Sequence, residues 1–199
     1  MTNAMTRITH RIATAALALC TLAATACDKD KKEQSDPQLT LQNVTGQYVG
    51  TFDFTPAPSD INPNPQPETG LDIAFEITEG GAVHFPEFPA AALVKALLGD
   101  GAEGLIPLLG TITYDATIGT PAADAERFTA PLTTPQLRID LSGVMVVLIS
   151  IEAPEQLVCT KSGEVTFTLK TTKCQLGEGE SAGEPFDLVN TLKFTARKE

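Results

Sequence analysis

One pattern constrains this chain more than any other: segment after segment alternates apolar and polar residues with a period of two. Tyr48, Phe52 and Phe54 fall on one face and Thr51, Asp53 and Thr55 on the other; Ile73, Phe75 and Ile77 alternate with Asp72, Ala74, Glu76 and Thr78. Ile112, Tyr114, Ala116 and Ile118 alternate with Thr111, Thr113, Asp115 and Thr117, and Leu137, Ile139 and Leu141 with Arg138 and Asp140. Val165, Phe167 and Leu169 oppose Glu164, Thr166, Thr168 and Lys170, while Leu192, Phe194 and Ala196 oppose Lys193, Thr195 and Arg197. Successive side chains of a strand point to opposite faces, so this one-sided alternation predicts antiparallel strands with one face in a core and one in water. The expected fold class is all-β, an antiparallel β-sandwich or flattened barrel.

Three stretches depart from the alternation. Residues 89–99, PAAALVKALLG, place proline at a first turn, good helix formers inside and glycine at the stop, and Leu93, Val94, Leu97 and Leu98 form one apolar stripe. They predict one short helix capping an open end of the sheet. Residues 143–151, GVMVVLISI, are apolar on both faces, which suits either a central strand covered on its second face or the wall of an apolar pocket. Residues 56–70 and 119–136 read as long linkers, the first a proline-rich, exposed, extended hairpin loop.

The amino terminus reads as an address rather than as part of the fold. Residues 1–11 contain Arg7 and Arg11 and no acid, and the uncharged run IATAALALCTLAATA that follows covers about 15 residues, short of the roughly 20 a helix needs to cross the hydrocarbon core. It ends in Leu22-Ala23-Ala24-Thr25-Ala26-Cys27, a loose form of the lipobox at which a lipoprotein signal peptidase cuts. Thr25 and Ala26 supply the small residues before the cysteine, although Ala24 stands where a bulky aliphatic is usual. Cys20 is the weaker candidate because Leu19 precedes it. The expectation is a signal peptide over residues 1–26, a lipidated (palmitate-bearing) Cys27 with a flexible tether over 27–43, and a single β-rich domain over 44–199, anchored by its lipid at the outer membrane on the periplasmic or the surface-exposed side.

Charge bounds the partners. The chain carries −11 at neutral pH, and loss of Arg7 and Arg11 with the leader makes it more acidic. Phosphate backbones demand clustered Lys and Arg, so nucleic acid is excluded as a partner, and no polybasic patch is present for anionic lipid. Beyond Cys20 and Cys27 only Cys159 and Cys174 remain, an even pair suited to one disulfide in an oxidising compartment. A turn centred on Ser162-Gly163 argues against that bond, since it sets Cys159 across from Thr166.

In order and spacing, Gly46-Gln47-Tyr48-Val49-Gly50, an acidic β segment, Phe85-Pro86-Glu87-Phe88-Pro89 leading into a short helix, and a closing β segment resemble a Bacteroidetes-type family of lipoproteins of unknown function. That family is similar in appearance to calycin-like β-barrel lipoproteins. The resemblance runs over roughly residues 44–197 and implies fold and compartment; it brings no catalytic or binding residues.

Catalytic patterns fare poorly. Gly179-Glu180-Ser181-Ala182-Gly183 matches the G-x-S-x-G nucleophile elbow, but the elbow needs a strand before it, a helix after it and a later histidine. A loop precedes this one, Glu184-Pro185 and a strand follow it, and no histidine lies beyond Ser181. His84, the one histidine outside the leader, sits near Glu79 and Glu87 and reads as an exposed or capping residue, since a lone histidine builds no zinc site without partners the fold must supply. The absence of Trp, with Tyr48 and Tyr114 the only tyrosines, leaves few platforms for sugars. Neither a cofactor nor a metal is implied, and no enzyme activity is expected. Two readings stand. In one, a small apolar or amphipathic ligand sits in the barrel interior, lined by Phe85, Phe88, Val144, Val146 and Leu148. In the other, a structural or protein-interaction module with a solid core presents residues 56–70 to a surface partner.

Overall fold

The computed structural model describes residues 38–199, which fall within one compact unit, Ser35–Glu199; the leader, Cys20, Cys27 and the first part of the tether lie outside the described residues. Twelve strands follow in chain order: β1 (Gly46–Pro56), β2 (Glu68–Ile77), β3 (Ala82–Phe85), β4 (Tyr114–Ile118), β5 (Ala122–Ala123), β6 (Arg127–Ala130), β7 (Leu132–Thr133), β8 (Leu137–Asp140), β9 (Val146–Glu152), β10 (Leu157–Thr160), β11 (Glu164–Leu176) and β12 (Phe186–Lys198). All pair antiparallel in one sheet, in the order β5-β6-β10-β11-β12-β1-β2-β3-β4-β7, with β9 on the far half of β11 and β8 beyond it. The fold is thus all-β, as the alternation predicts, and of barrel or sandwich type.

The sheet curls because its ends share one segment. Pro131 alone separates β6 from β7; β6 pairs with β10 at one end of the order and β7 with β4 at the other. Residues 127–133, expected as linker, therefore join the two ends of the sheet. Phe128, Ala130 and Leu132 point inward from them and are buried. Tight curvature has a second cause at Gly50, between inward-facing Tyr48 and Phe52. A Cβ there would lie 2.2 Å from Thr195 O and 2.5 Å from Ala196 Cα, so only glycine lets β1 approach β12 this closely.

The core is aromatic. Phe75, Phe85, Phe167 and Phe194 meet at its centre, with ring centroids 5.4 Å apart for Phe75–Phe167, 5.5 Å for Phe85–Phe194 and 4.7 Å for Phe167–Phe194. Each of those offset or edge-on contacts adds about 0.5–1.5 kcal/mol to simple burial. Tyr48 stacks on Phe75, and its hydroxyl donates to Val44 O, satisfying the one polar atom it brings inside. Burial pushes this phenol's pKa well above its ordinary value.

Two helices attach to the sheet. α2 (Ala90–Leu98) matches the predicted helix and buries Leu93, Val94 and Leu97 against the core. α1 (Leu41–Val44) is a single turn whose Thr40 N–H donates to Asn43 Oδ1 at 2.8 Å. It shortens the expected tether: residues 38–43 belong to the domain, with Leu39 N–H bonded to Asp124 O and Leu39 and Leu41 packed on the core.

The cysteine pair is corrected by register. Gly163, at φ 81°, ends a three-residue turn in which its N–H bonds to Thr160 O. Cys159 therefore faces Val165, and Val158 faces Thr166. Cys174 lies nine residues further along β11 than Val165, about 30 Å at strand rise, whereas a disulfide needs Cα atoms within about 7 Å. Both thiols are free and buried.

Candidate functional site

The five residues expected to line an apolar interior do not share a cavity. Phe85 is fully buried against Phe75, Phe88, Tyr114, Phe167 and Phe194. Val144 sits in the turn between β8 and β9 and is 69% exposed. Val146 and Leu148 lie half-buried on the outer side of β9, whose inner side carries Val147, Ile149 and Ile151. Of the stretch 143–151, residues 143–145 belong to the turn and 146–151 to a strand with neighbours on both sides, β8 and β11, and an outer face only half covered. Of the five, Phe88 borders a groove.

That groove, of about 630 Å³, lies between β2 and α2, lined by Ile73, Phe88, Ile106, Leu109 and Ile112, with Asp72 and Glu87 at its mouth. Its origin can be read from the backbone. Thr78 N–H bonds to Ala82 O at 2.9 Å, and Glu76 faces His84. Hydrogen-bonded pairs recur at every second residue of an antiparallel ladder, so Ala74 and Asp72 also aim their N–H and C=O groups toward the β3 side. The same register would place Pro86 opposite Ala74. Proline has no N–H to give, and the chain turns away: Phe88 N–H bonds instead to Ile112 O at 2.7 Å. Pairing between β2 and β3 stops at Glu76, and among the described residues no strand faces Asp72 or Ala74 on that side. The opened slot is the groove.

A second groove of about 430 Å³ lies between α2 and the proline-rich loop. The loop is not fully free: Asn62 Nδ2 donates to Ala96 O at 3.0 Å, and Lys95 pairs with Glu68 at 2.8 Å. Residues 56–70 are thereby strapped to the helix.

His84 finds a partner that sequence distance hides. Its Nδ1 lies 2.8 Å from Asp115 Oδ1 on β4, directly across the ladder, and its other cross-strand neighbour is Glu76, which accepts from Gln47 Nε2 at 2.9 Å. Gln47, Glu76, His84 and Asp115 form a polar row on the outer face. Glu79 and Glu87, close in sequence, are not the partners the structure gives it. Among the described residues no group of three or more His, Cys, Asp or Glu side chains is placed to hold a metal ion. Gly179–Ser181 form a single 3-10 turn between β11 and β12, without the strand-to-helix step that a nucleophile elbow requires.

Other perturbed groups have structural causes. Burial pushes the Cys159 thiol up to about 12 and that of Cys174 up to about 11, so neither is an activated nucleophile. Backbone N–H groups of Glu126 and Arg127 hold the Asp124 carboxyl below its ordinary range, and the Arg138 guanidinium, 2.9 Å from Glu178, does the same for Glu178. These groups lie on the surface, away from the groove lining. Comparison with known proteins gives no match: no family model, no curated protein and no solved structure is similar to the chain.

Proposed function

We propose that this protein is a non-catalytic module of the bacterial cell envelope, held at the outer membrane through an acylated Cys27, that recognises a surface partner through the outside of a solid β domain. The observation that carries the choice of outside over inside is the filling of the core around Phe85, where an enclosed ligand would have to sit. The resemblance to calycin-like lipoproteins supports the compartment. The grooves along α2 offer places for such recognition.

Two experiments test it. Cys27→Ser should move the protein from the membrane fraction to the soluble envelope fraction; retention with the membrane would refute the lipid anchor. Native mass spectrometry of the Cys27→Ser protein, secreted without its lipid, should give a single bare mass. A small apolar molecule that survives purification would refute the solid interior and restore the enclosed-ligand reading.

A further inference from the structure

Resting on that reading of an outward-facing module, we infer that the slot beside β2 is a docking site for an extended peptide segment bearing basic residues, which adds as a strand along Asp72–Ala74.

The backbone supplies the first argument. Asp72 and Ala74 each present an N–H and a C=O to the slot, spaced as one further antiparallel strand would use them. An open strand edge commonly carries protection in the form of lysine, a bulge or a covering loop. Here the outward side chains are Asp72 and Ala74, one small and one acidic, and the neighbouring strand is turned away by Pro86. The edge ends in a concavity, so an added strand would be held on its second side by residues 86–90 and 109–112.

Side chains decide what the segment carries. In a strand laid along β2, alternate residues would face inward over Ile73, Phe88, Ile106 and Leu109, which select apolar groups. The residues between them would face outward beside Asp72 and Glu87. Among the described residues no Lys or Arg lines the slot, so its lining does not compensate its own charge, and opposite charges directly across a ladder are the favoured pairs. The partner is thus a strand of alternating apolar and basic residues. Charge argues against the other occupants. A second copy of this chain would bring its own acidic Asp72 and Glu87 to the slot, in a chain of net charge −11. The chain's own residues 28–37, DKDKKEQSDP, hold no apolar residue for the inner positions.

The test uses the Cys27→Ser protein and a fluorophore-labelled eight-residue peptide of alternating valine and lysine. Fluorescence anisotropy should show saturable binding, and hydrogen exchange should show the Asp72 and Ala74 amides slowed on its addition. Ala74→Pro removes one edge N–H that β1 does not use; binding should weaken at least about tenfold while the melting temperature stays near that of the parent. Asp72→Lys should weaken the valine–lysine peptide and favour a valine–glutamate one. Absence of binding, or binding indifferent to both substitutions, overturns the inference. So does a dimer, seen by light scattering, that Ala74→Pro dissolves, because the occupant would then be a second copy. These results leave the native mass untouched, so failure here and failure of the solid-core reading are told apart.

Discussion

β12 and β2 obey the same alternating pattern and meet opposite fates. β12 is paired by β1 over residues 190–198 on one side and by β11 over residues 186–197 on the other, and buries Leu188, Leu192, Phe194 and Ala196. β2 has an equally regular pattern, yet before Glu76, back toward its start, it is paired, among the described residues, by β1 alone. The difference arises in the neighbour: β11 continues through thirteen residues, whereas β3 ends after four because Pro86 follows it. An inward-facing apolar row settles which face is buried. It does not settle whether the edge is covered.

Substitutions can break this comparison. The largest effect is expected for Phe85→Ala, which leaves a void among five rings and should cost about 3–5 kcal/mol in denaturant unfolding; Ile106→Ala at the slot rim should cost about 1 kcal/mol. Equal costs would mean that the slot is as tightly packed as the core. Next comes proline scanning. Thr195 faces Thr51 on one side and Thr166 on the other, so Thr195→Pro should lose about 3 kcal/mol or more, against less than about 1 kcal/mol for Ala74→Pro. A large loss at Ala74 would show that its edge is occupied in the free protein.

Thr171→Val sharpens the comparison inside the long pair. Thr171 Oγ1 donates to Leu188 O at 2.6 Å and accepts from the backbone N–H and Nδ2 of Asn190, at a register shift between β11 and its neighbours. Valine would strand those buried donors at a cost of about 1–3 kcal/mol, measurable as a shift in denaturation midpoint.

The cysteines report on closure by rate. Native Cys159 and Cys174 should resist a thiol reagent at pH 8 and react fully once the chain is unfolded. Their raised folded pKa values, about 12 and about 11, mean that the unfolded chain releases protons first. Their contribution to stability is therefore intact below the unfolded value of about 8.5 and is lost as pH climbs toward the folded values. Rapid native labelling would show the β10–β11 side opening. The smallest effect is at Asp124, whose lowered pKa gives a stabilising contribution present above the unfolded value of about 3.9 and lost on acidification below it. Asp124→Asn should flatten that acid limb in a pH series of melting temperatures.

Strands β1, β2, β4, β8, β9, β11 and β12, the inward rows on them and the helix α2 were legible in the chain, because a period of two or a capped helical stripe persists over several residues. β3, β5, β6, β7 and β10 were not: each is two to four residues long, and the alternation does not run past their ends as it does for β8, where Leu141 continues the row of Leu137 and Ile139. The run 127–133 was hidden further by Pro131, which marks a linker locally and here marks the bend where the sheet closes.

The site was less legible than the fold. Phe88 could be named from its apolar character beside Pro89, but its place at a slot depends on the register that puts Pro86 opposite Ala74. The partners of His84 depend on the same register, which sets Asp115 and Glu76 beside it rather than Glu79 or Glu87.

What the sequence determined by itself was local: which residues alternate, where the helix starts and stops, and which face of each strand must leave water, all consequences of side-chain direction along one segment. What only the tertiary structure decided was pairing. Register separates Cys159 from Cys174 and packs Phe85 into the core. It also leaves Asp72 and Ala74 with unpaired backbone, because a hydrogen-bond ladder is a relation between segments far apart in the chain, and a proline on one strand is felt on another.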